Sequence, residues 1–340
     1  MVSLLNRLYE VEEALRAVGQ VGESRVHDAD PIRLRNRIRS EIRLVNTAPT
    51  AGPANAMPAA LTAFAEHNLG QLHEITDTSG PRENSHVWRV VAGRARTTWF
   101  VKEHPHVRHH GREVQAYAQW TPSLGADRAP LLRAADPALS AVILSALPGI
   151  APVGPDLPQH EEREVHRQLG ELLHRFHHSS PSRPPTFQHP ARDKVQLHLD
   201  AAGPHLRHGD ESLIRHLAGR LALLAPLPRV PTHGDVQLRN TLWNPDTGTL
   251  GLIDYERAEY QPACHDLIRL EYGPWESRPD LEAAFFTSFG ATLTPLETDH
   301  IHAIAALDAL SGIAYATTTG DKELLGRGQH TLERLRSENG

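Results

Sequence analysis

Asp235 stands in the run His233-Gly234-Asp235-Val236-Gln237-Leu238-Arg239-Asn240, with Asp254 fourteen residues beyond Asn240. These residue types suit phosphoryl transfer, which needs one carboxylate to orient a hydroxyl and accept its proton, and oxygen ligands for Mg²⁺. The segment between Asn240 and Asp254 reads as a hairpin. Thr241-Leu242-Trp243 is strand-like, Asn244-Pro245-Asp246-Thr247-Gly248 has turn chemistry, and Leu250-Gly251-Leu252-Ile253 is a second apolar run. Such a hairpin returns Asp254 to the side of Asn240, where the two can share a metal ion.

The motif H-G-D-x-x-x-x-N, followed by Ile253-Asp254-Tyr255-Glu256, resembles the aminoglycoside phosphotransferase/choline kinase family, whose architecture is that of protein kinases. The resemblance implies an α+β, bilobal, protein-kinase-like fold with a small β-rich N-lobe and a larger helical C-lobe. It makes Asp235 the catalytic base, and Asn240 and Asp254 the Mg²⁺ ligands. Protein kinases carry H-R-D and D-F-G instead. Gly234 and Tyr255-Glu256 at those places favour a small-molecule acceptor, phosphorylated on a hydroxyl.

The same resemblance assigns the nucleotide side. Lys102 ends the strand-like run Thr97-Thr98-Trp99-Phe100-Val101, and Glu113 follows near the expected start of a helix at Gly111. They match the family's phosphate-binding lysine and its carboxylate partner. Ser85 belongs to the phosphate loop that precedes the Val87-Trp88-Arg89-Val90-Val91 strand. Ser145 and Leu147, in Ser145-Ala146-Leu147-Pro148-Gly149, offer hinge backbone groups to the base. The expected cofactors are ATP and Mg²⁺, with GTP left open because backbone contacts do not declare the base. No G-x-x-x-x-G-K-[ST] run is present, which excludes a Walker-type NTPase.

For the acceptor, Glu256, Glu271, Tyr272, Trp275 and Glu276 interleave carboxylates with aromatics. That pattern suits a cationic molecule through ion pairing and cation–π contact. An aminoglycoside or related antibiotic is the expected acceptor, with antibiotic resistance as its consequence. Choline, a sugar, an amino acid or another natural product are alternatives, and a pseudokinase-like binding module is the rival of another class. Asp266 is expected to brace the catalytic loop. The groups His104, His106, His109, His110 and His174, His177, His178 have spacings that zinc can use, but 23 histidines make such neighbours expected from composition.

The 340 residues allow a large core, and a net charge of −6 argues against nucleic acid as a general partner. Cys264 is the single cysteine, so no intrachain disulfide forms. No apolar run reaches membrane-spanning length, and Glu10, Glu12 and Glu13 oppose a signal peptide, so a cytoplasmic location is expected. Residues 1–46 read as a helical extension. Its amphipathic segment at 3–18 and the arginine-bearing one at 30–45 form a candidate homodimer contact. Residues 47–60 read as an Ala/Pro-rich linker, 61–148 as the N-lobe and 149–340 as the C-lobe.

Overall fold

The computed structural model describes residues 56–79, 85–153, 157–187 and 190–339. The readings for residues 3–18, 30–45 and 80–84, the dimer contact included, lie outside them. Met57–Gly340 form one compact unit.

Five strands build the N-lobe: β1 (Leu72–Asp77), β2 (His86–Ala92), β3 (Thr97–Glu103), β4 (Leu132–Asp136) and β5 (Ala141–Ser145). They form one antiparallel sheet in the order β1-β2-β3-β5-β4. Successive strand residues point to opposite faces. Trp88, Val90, Val101, Ala141 and Ile143 therefore share one face, and they pack with Leu61 and Ala65 of α1 (Ala59–Leu69). Met57 is buried there too, so the linker read as reaching residue 60 ends earlier. Alanine, whose single methyl group marks neither a core nor a linker, serves a helix as readily as a linker.

The other face of the sheet carries Phe100, Val142 and Leu144 toward the larger core. Lys102 follows Val101 and pairs with Val142, so it points to this second face. Here lies α2 (Val107–Gln119), which begins four residues before the expected start at Gly111. The polar run at 106–110 hid that turn, because buried His110 occupies a place an apolar residue usually marks. Glu113 is consequently mid-helix, buried beside Ala116 and Tyr117.

The C-lobe contains α3 (Gln159–His177), α4 (Arg192–Ala202), α5 (Asp210–Leu221), two short strand pairs, α6 (Ile268–Glu271), α7 (Pro274–Ser277), α8 (Pro279–Phe289), α9 (Pro295–Thr319) and α10 (Lys322–Asn339). The sequence reads as helical at 161–178, 195–206, 211–224, 279–290 and 296–319, which match α3, α4, α5, α8 and α9 within a few residues. Thr294 and Glu297 cap α9 reciprocally. Its buried Ala303, Ala305, Ala306 and Ala309 leave room for α4, α5 and α10 to approach it closely. The strand pairs are β6 (Val230–Thr232) with β9 (Glu259–Gln261), and β7 (Thr241–Asn244) with β8 (Thr249–Leu252). No helix among the described residues is long and apolar enough to cross a membrane.

The hinge is fastened to the second pair. Ile150 N–H donates to the Trp243 carbonyl at 2.9 Å, and Trp243 N–H donates back to Ile150 at 2.8 Å. Gly149 makes this approach possible, since a Cβ there would lie 2.7 Å from the Trp243 carbonyl oxygen.

Candidate active site

β6 ends at Thr232 and delivers His233, Gly234 and Asp235 into a tight loop. Gly234 has φ +76°, and a Cβ on it would sit 2.5 Å from the Arg257 carbonyl oxygen, so glycine alone fits without displacement. Asp266, 2% exposed, holds the loop from behind. Its carboxylate accepts from His233 N–H at 2.9 Å, from Gly234 N–H at 2.7 Å and from His177 Nε2 at 2.9 Å. Burial would raise the Asp266 carboxyl, but these donors hold it below the ordinary aspartate value. Asp266 thus braces the loop, as the sequence led one to expect, and His177 holds Asp266 in turn.

His233 ties the loop to the metal segment. Its Nε2 donates to the Ile253 carbonyl at 3.0 Å, which leaves Nδ1 to accept from Asp235 N–H at 3.3 Å. Asn240 Nδ2 donates to the Asp235 carbonyl at 2.8 Å, and Ile253 N–H donates to the Asn240 carbonyl at 3.0 Å. The β7–β8 hairpin, in register from Thr241↔Leu252 to Asn244↔Thr249, therefore brings Asn240 and Asp254 to one place.

Lys102 meets them from the other lobe. Its Nζ lies 2.9 Å from Glu113 Oε2, 2.6 Å from Asp254 Oδ1 and 3.1 Å from Glu256 Oε2. Burial would lower the Lys102 pKa, yet the three carboxylates raise it well above the ordinary lysine value. Burial likewise pushes the Asp254 carboxyl up, and Lys102 overcomes this to bring it down to about 2. Asp254 also holds φ +68°, a left-handed conformation that costs a non-glycine residue about 1–3 kcal/mol. Ser85 Oγ donates to Glu256 Oε2 at 2.8 Å, joining the residue before β2 to the same cluster. His104 Nε2 lies 2.5 Å from Glu113 Oε2 while its Nδ1 faces the Ser140 carbonyl at 3.1 Å. Glu113 is thereby gripped from two sides.

The donor set fits a divalent cation of the Mg²⁺ type. Asp254, Glu256 and the Asn240 amide supply hard oxygen atoms, and three carboxylates surround one ammonium, leaving negative charge in excess. Hydrogen bonding through Nδ2 turns Asn240 Oδ1, an oxygen, away from that bond, so Oδ1 is the atom that could meet a cation.

The sequence matches the family described as APH: Phosphotransferase enzyme family across residues 74–299. The chain belongs to that family. Among curated proteins no sequence match is found. Solved structures of similar fold include spectinomycin phosphotransferase APH(9)-Ia with ADP and spectinomycin, at TM-score 0.58 and 13% identity over 84% of this chain and 93% of that one. Aminoglycoside phosphotransferase APH(4)-Ia reaches TM-score 0.59 at 13% identity, covering 83% of this chain and all of the other. Macrolide 2'-phosphotransferase MphH from Brachybacterium faecium gives 0.55 at 18%, covering 81% and 96%.

Within this APH phosphotransferase, Asp235, Asn240, Asp254, Lys102, Glu113, Ser85 and Glu256 converge. The hinge fits less simply. Ser145 N–H donates to the Leu131 carbonyl at 2.9 Å and its Oγ accepts from Leu131 N–H at 2.8 Å, so that N–H is already used inside the sheet. Leu147 stands over Gly251 of β8, at the edge where the hinge meets the hairpin.

Of Glu271, Tyr272, Trp275 and Glu276, expected to form an acceptor wall, Tyr272 alone lines the cavity between the catalytic loop, α6, α9 and α10. Trp275 is 3% exposed, donates to His166 Nδ1 at 3.1 Å and packs on Phe285. Glu271 pairs with Arg334 at 2.5 Å, and Glu276 with His330 at 2.6 Å. Tyr272 is buried, donates to Glu338 at 3.2 Å and lies under Arg334. The interleaving of acids and aromatics reflects a helix turn whose rings face the core and whose acids pair outward, so these four residues do not form a joint cationic-acceptor surface.

Arg269 is what sequence reading missed. It ion-pairs with Asp235, and its NH2 reaches Asp308 Oδ1 at 3.1 Å. Gln237 Nε2 adds a donor to Asp235 Oδ1 at 2.5 Å. The available signal was spacing, since Arg269 follows Asp266 by three residues at the entry to α6 and so rides on the brace.

Proposed function

We propose that this protein transfers the γ-phosphoryl group of ATP to a hydroxyl of a small molecule, with Mg²⁺, in the cytoplasm. The observation that carries this reading is Lys102 Nζ at 2.9 Å from Glu113 and 2.6 Å from Asp254, in a member of the APH phosphotransferase family. Lys102 is poised to exchange carboxylates for the nucleotide phosphates, and Glu113, held by His104 as well, keeps its stem in place. Asn240 and Asp254, with Glu256 beside them, would hold Mg²⁺, which supplies charge neutralisation at the phosphates. Asp235 orients the acceptor hydroxyl and takes its proton as the new P–O bond forms and the bond to the departing diphosphate breaks. The loop tied by Asp266, His233 and Asn240 fixes that carboxylate before substrate arrives.

ATP is favoured by neighbours solved with ADP and AMP-PNP, and one solved with GDP keeps GTP as the comparison nucleotide. Neighbours bound to spectinomycin, hygromycin B and kanamycin favour an aminoglycoside as one reading of the acceptor. The test is ADP release across aminoglycosides, macrolides, sugars and choline, with mass spectrometry for a phosphorylated product. Asp235→Asn should lose at least about 100-fold in turnover while still binding nucleotide. Wild-type turnover in that variant would overturn the assignment.

A further inference from the structure

The four histidines just after β3 and in the first turn of α2, His104, His106, His109 and His110, are not alike. Burial pushes His109 down to about 3 and lowers His110 as well, so both rings are neutral near pH 7. His104 is buried too, but each of its ring nitrogens faces an oxygen. Nε2 lies 2.5 Å from Glu113 Oε2, and Nδ1 lies 3.1 Å from the Ser140 carbonyl, which also accepts the His104 backbone N–H at 2.9 Å. A carbonyl oxygen only accepts, so Nδ1 carries a proton. Nε2 then either carries a second one or turns a lone pair on the carboxylate. Burial would raise the Glu113 carboxyl, yet Lys102 and His104 hold it below the ordinary glutamate value, so Glu113 is an anion with no proton to lend. The short contact therefore needs its proton on the ring.

We propose that His104 is a buried imidazolium, a positioning residue that counter-charges Glu113 and thereby governs how readily Lys102 receives a nucleotide. The inference rests on the nucleotide reading of Lys102 and deepens it. Glu113 presents one oxygen, Oε2, to both cations, at 2.9 Å from Lys102 Nζ and 2.5 Å from His104 Nε2, while its buried Oε1 meets no hydrogen-bond partner. With its charge shared, Glu113 orients the ammonium without monopolising it. Lys102 is then able to exchange Asp254 and Glu256 for phosphate oxygens. Once Nε2 loses its proton, a lone pair confronts Oε2, the carboxylate turns away and Lys102 loses its anchor. A nucleotide adds negative charge beside Lys102, which favours the doubly protonated ring. The groups facing His104 are Glu113, His109 and His110 on α2, Lys102 on its own strand with Asp254 beyond it, and the Ser140 carbonyl before β5. Glu113 is the anion in direct contact with the ring, and so the partner of its charge.

The full chain with Mg²⁺ is titrated with AMP-PNP by calorimetry from pH 7 to pH 9, as wild type, His104→Gln and His104→Leu. Glutamine keeps a donor toward Glu113 that does not titrate, whereas leucine keeps only bulk. At pH 7 the wild type should bind about 10-fold more tightly than His104→Leu, the effect of one charge-assisted hydrogen bond, and His104→Gln should recover most of that gap. The titration of AMP-PNP itself is common to all three proteins, so by pH 9 the wild type should lose about 10-fold relative to His104→Gln. In the unliganded protein, the ring ¹⁵N signals that vanish in His104→Gln should show both nitrogens protonated at pH 7. A ring with one bare nitrogen at that pH, or one pH slope shared by wild type and His104→Gln, would overturn the proposal. Wild type that binds no AMP-PNP refutes the nucleotide reading instead, and the ring signals then decide the charge of His104 by themselves.

Discussion

Replacing Asp266 by Asn isolates the brace from the chemistry. The carboxylate accepts three hydrogen bonds, from two backbone N–H groups and His177, in a setting without water access. An amide presents one oxygen and one NH₂, so either the Gly234 N–H or the His233 and His177 donors face another donor. Bonds to a charged acceptor contribute about 1.5–3 kcal/mol each, and a buried donor left unmatched costs about 1–3 kcal/mol. Losing one such bond and orphaning its donor gives a destabilisation of about 3–5 kcal/mol, on the order of a 10 °C fall in melting temperature. Displacing the loop by about 1 Å would also lower turnover about 100-fold. The pH dependence adds a signature. Because the folded pKa of Asp266 is depressed, its contribution is complete above the unfolded value of about 3.9 and is lost as pH falls through the lower folded value. The wild type should therefore lose stability between pH 5 and about pH 2 more steeply than Asp266→Asn, read by calorimetric melting. A variant that melts within 2 °C of wild type and turns over within threefold of it would refute the brace argument.

Lys102→Met leaves Glu113, Asp254 and Glu256 facing one another without their ammonium, and turnover should fall at least about 100-fold. Without Lys102 the folded pKa values of Glu113 and Asp254 rise, so this variant should lose stability as pH rises from 5 to 8, measured by thermal melting. Mg²⁺ at about 100 times its Kd should stabilise the wild type by about 2.7 kcal/mol, and Asp254→Asn should forfeit most of that gain. Glu276→Gln, whose carboxylate pairs with exposed His330, should leave the acceptor KM within twofold of wild type.

The catalytic loop and hairpin were legible because their chemistry is local. A turn, two short apolar runs and the fixed places of Asp235, Asn240 and Asp254 lie within 22 residues of one another. The period of apolar residues likewise disclosed α3, α4, α5, α8 and α9. β1 escaped because it is an edge strand whose side chains are mostly in solvent, so it carries no alternation. The partners that complete the site were out of reach for another reason. Ser85 and Glu256 lie 171 positions apart, and His177 and Asp266 lie 89 apart, which only the packed lobes bring together. Trp275 misled because an aromatic beside an acid reads alike whether it faces a ligand or a core.

The paired hydrogen bonds between Ile150 and Trp243 carry one more consequence. They weld the hinge, where a base would rest, to the hairpin whose ends hold Asn240 and Asp254. A base resting on the hinge and a cation at Asn240 and Asp254 would then share one backbone frame, so a side chain at Gly149 that pushed Ile150 off Trp243 would disturb both places at once.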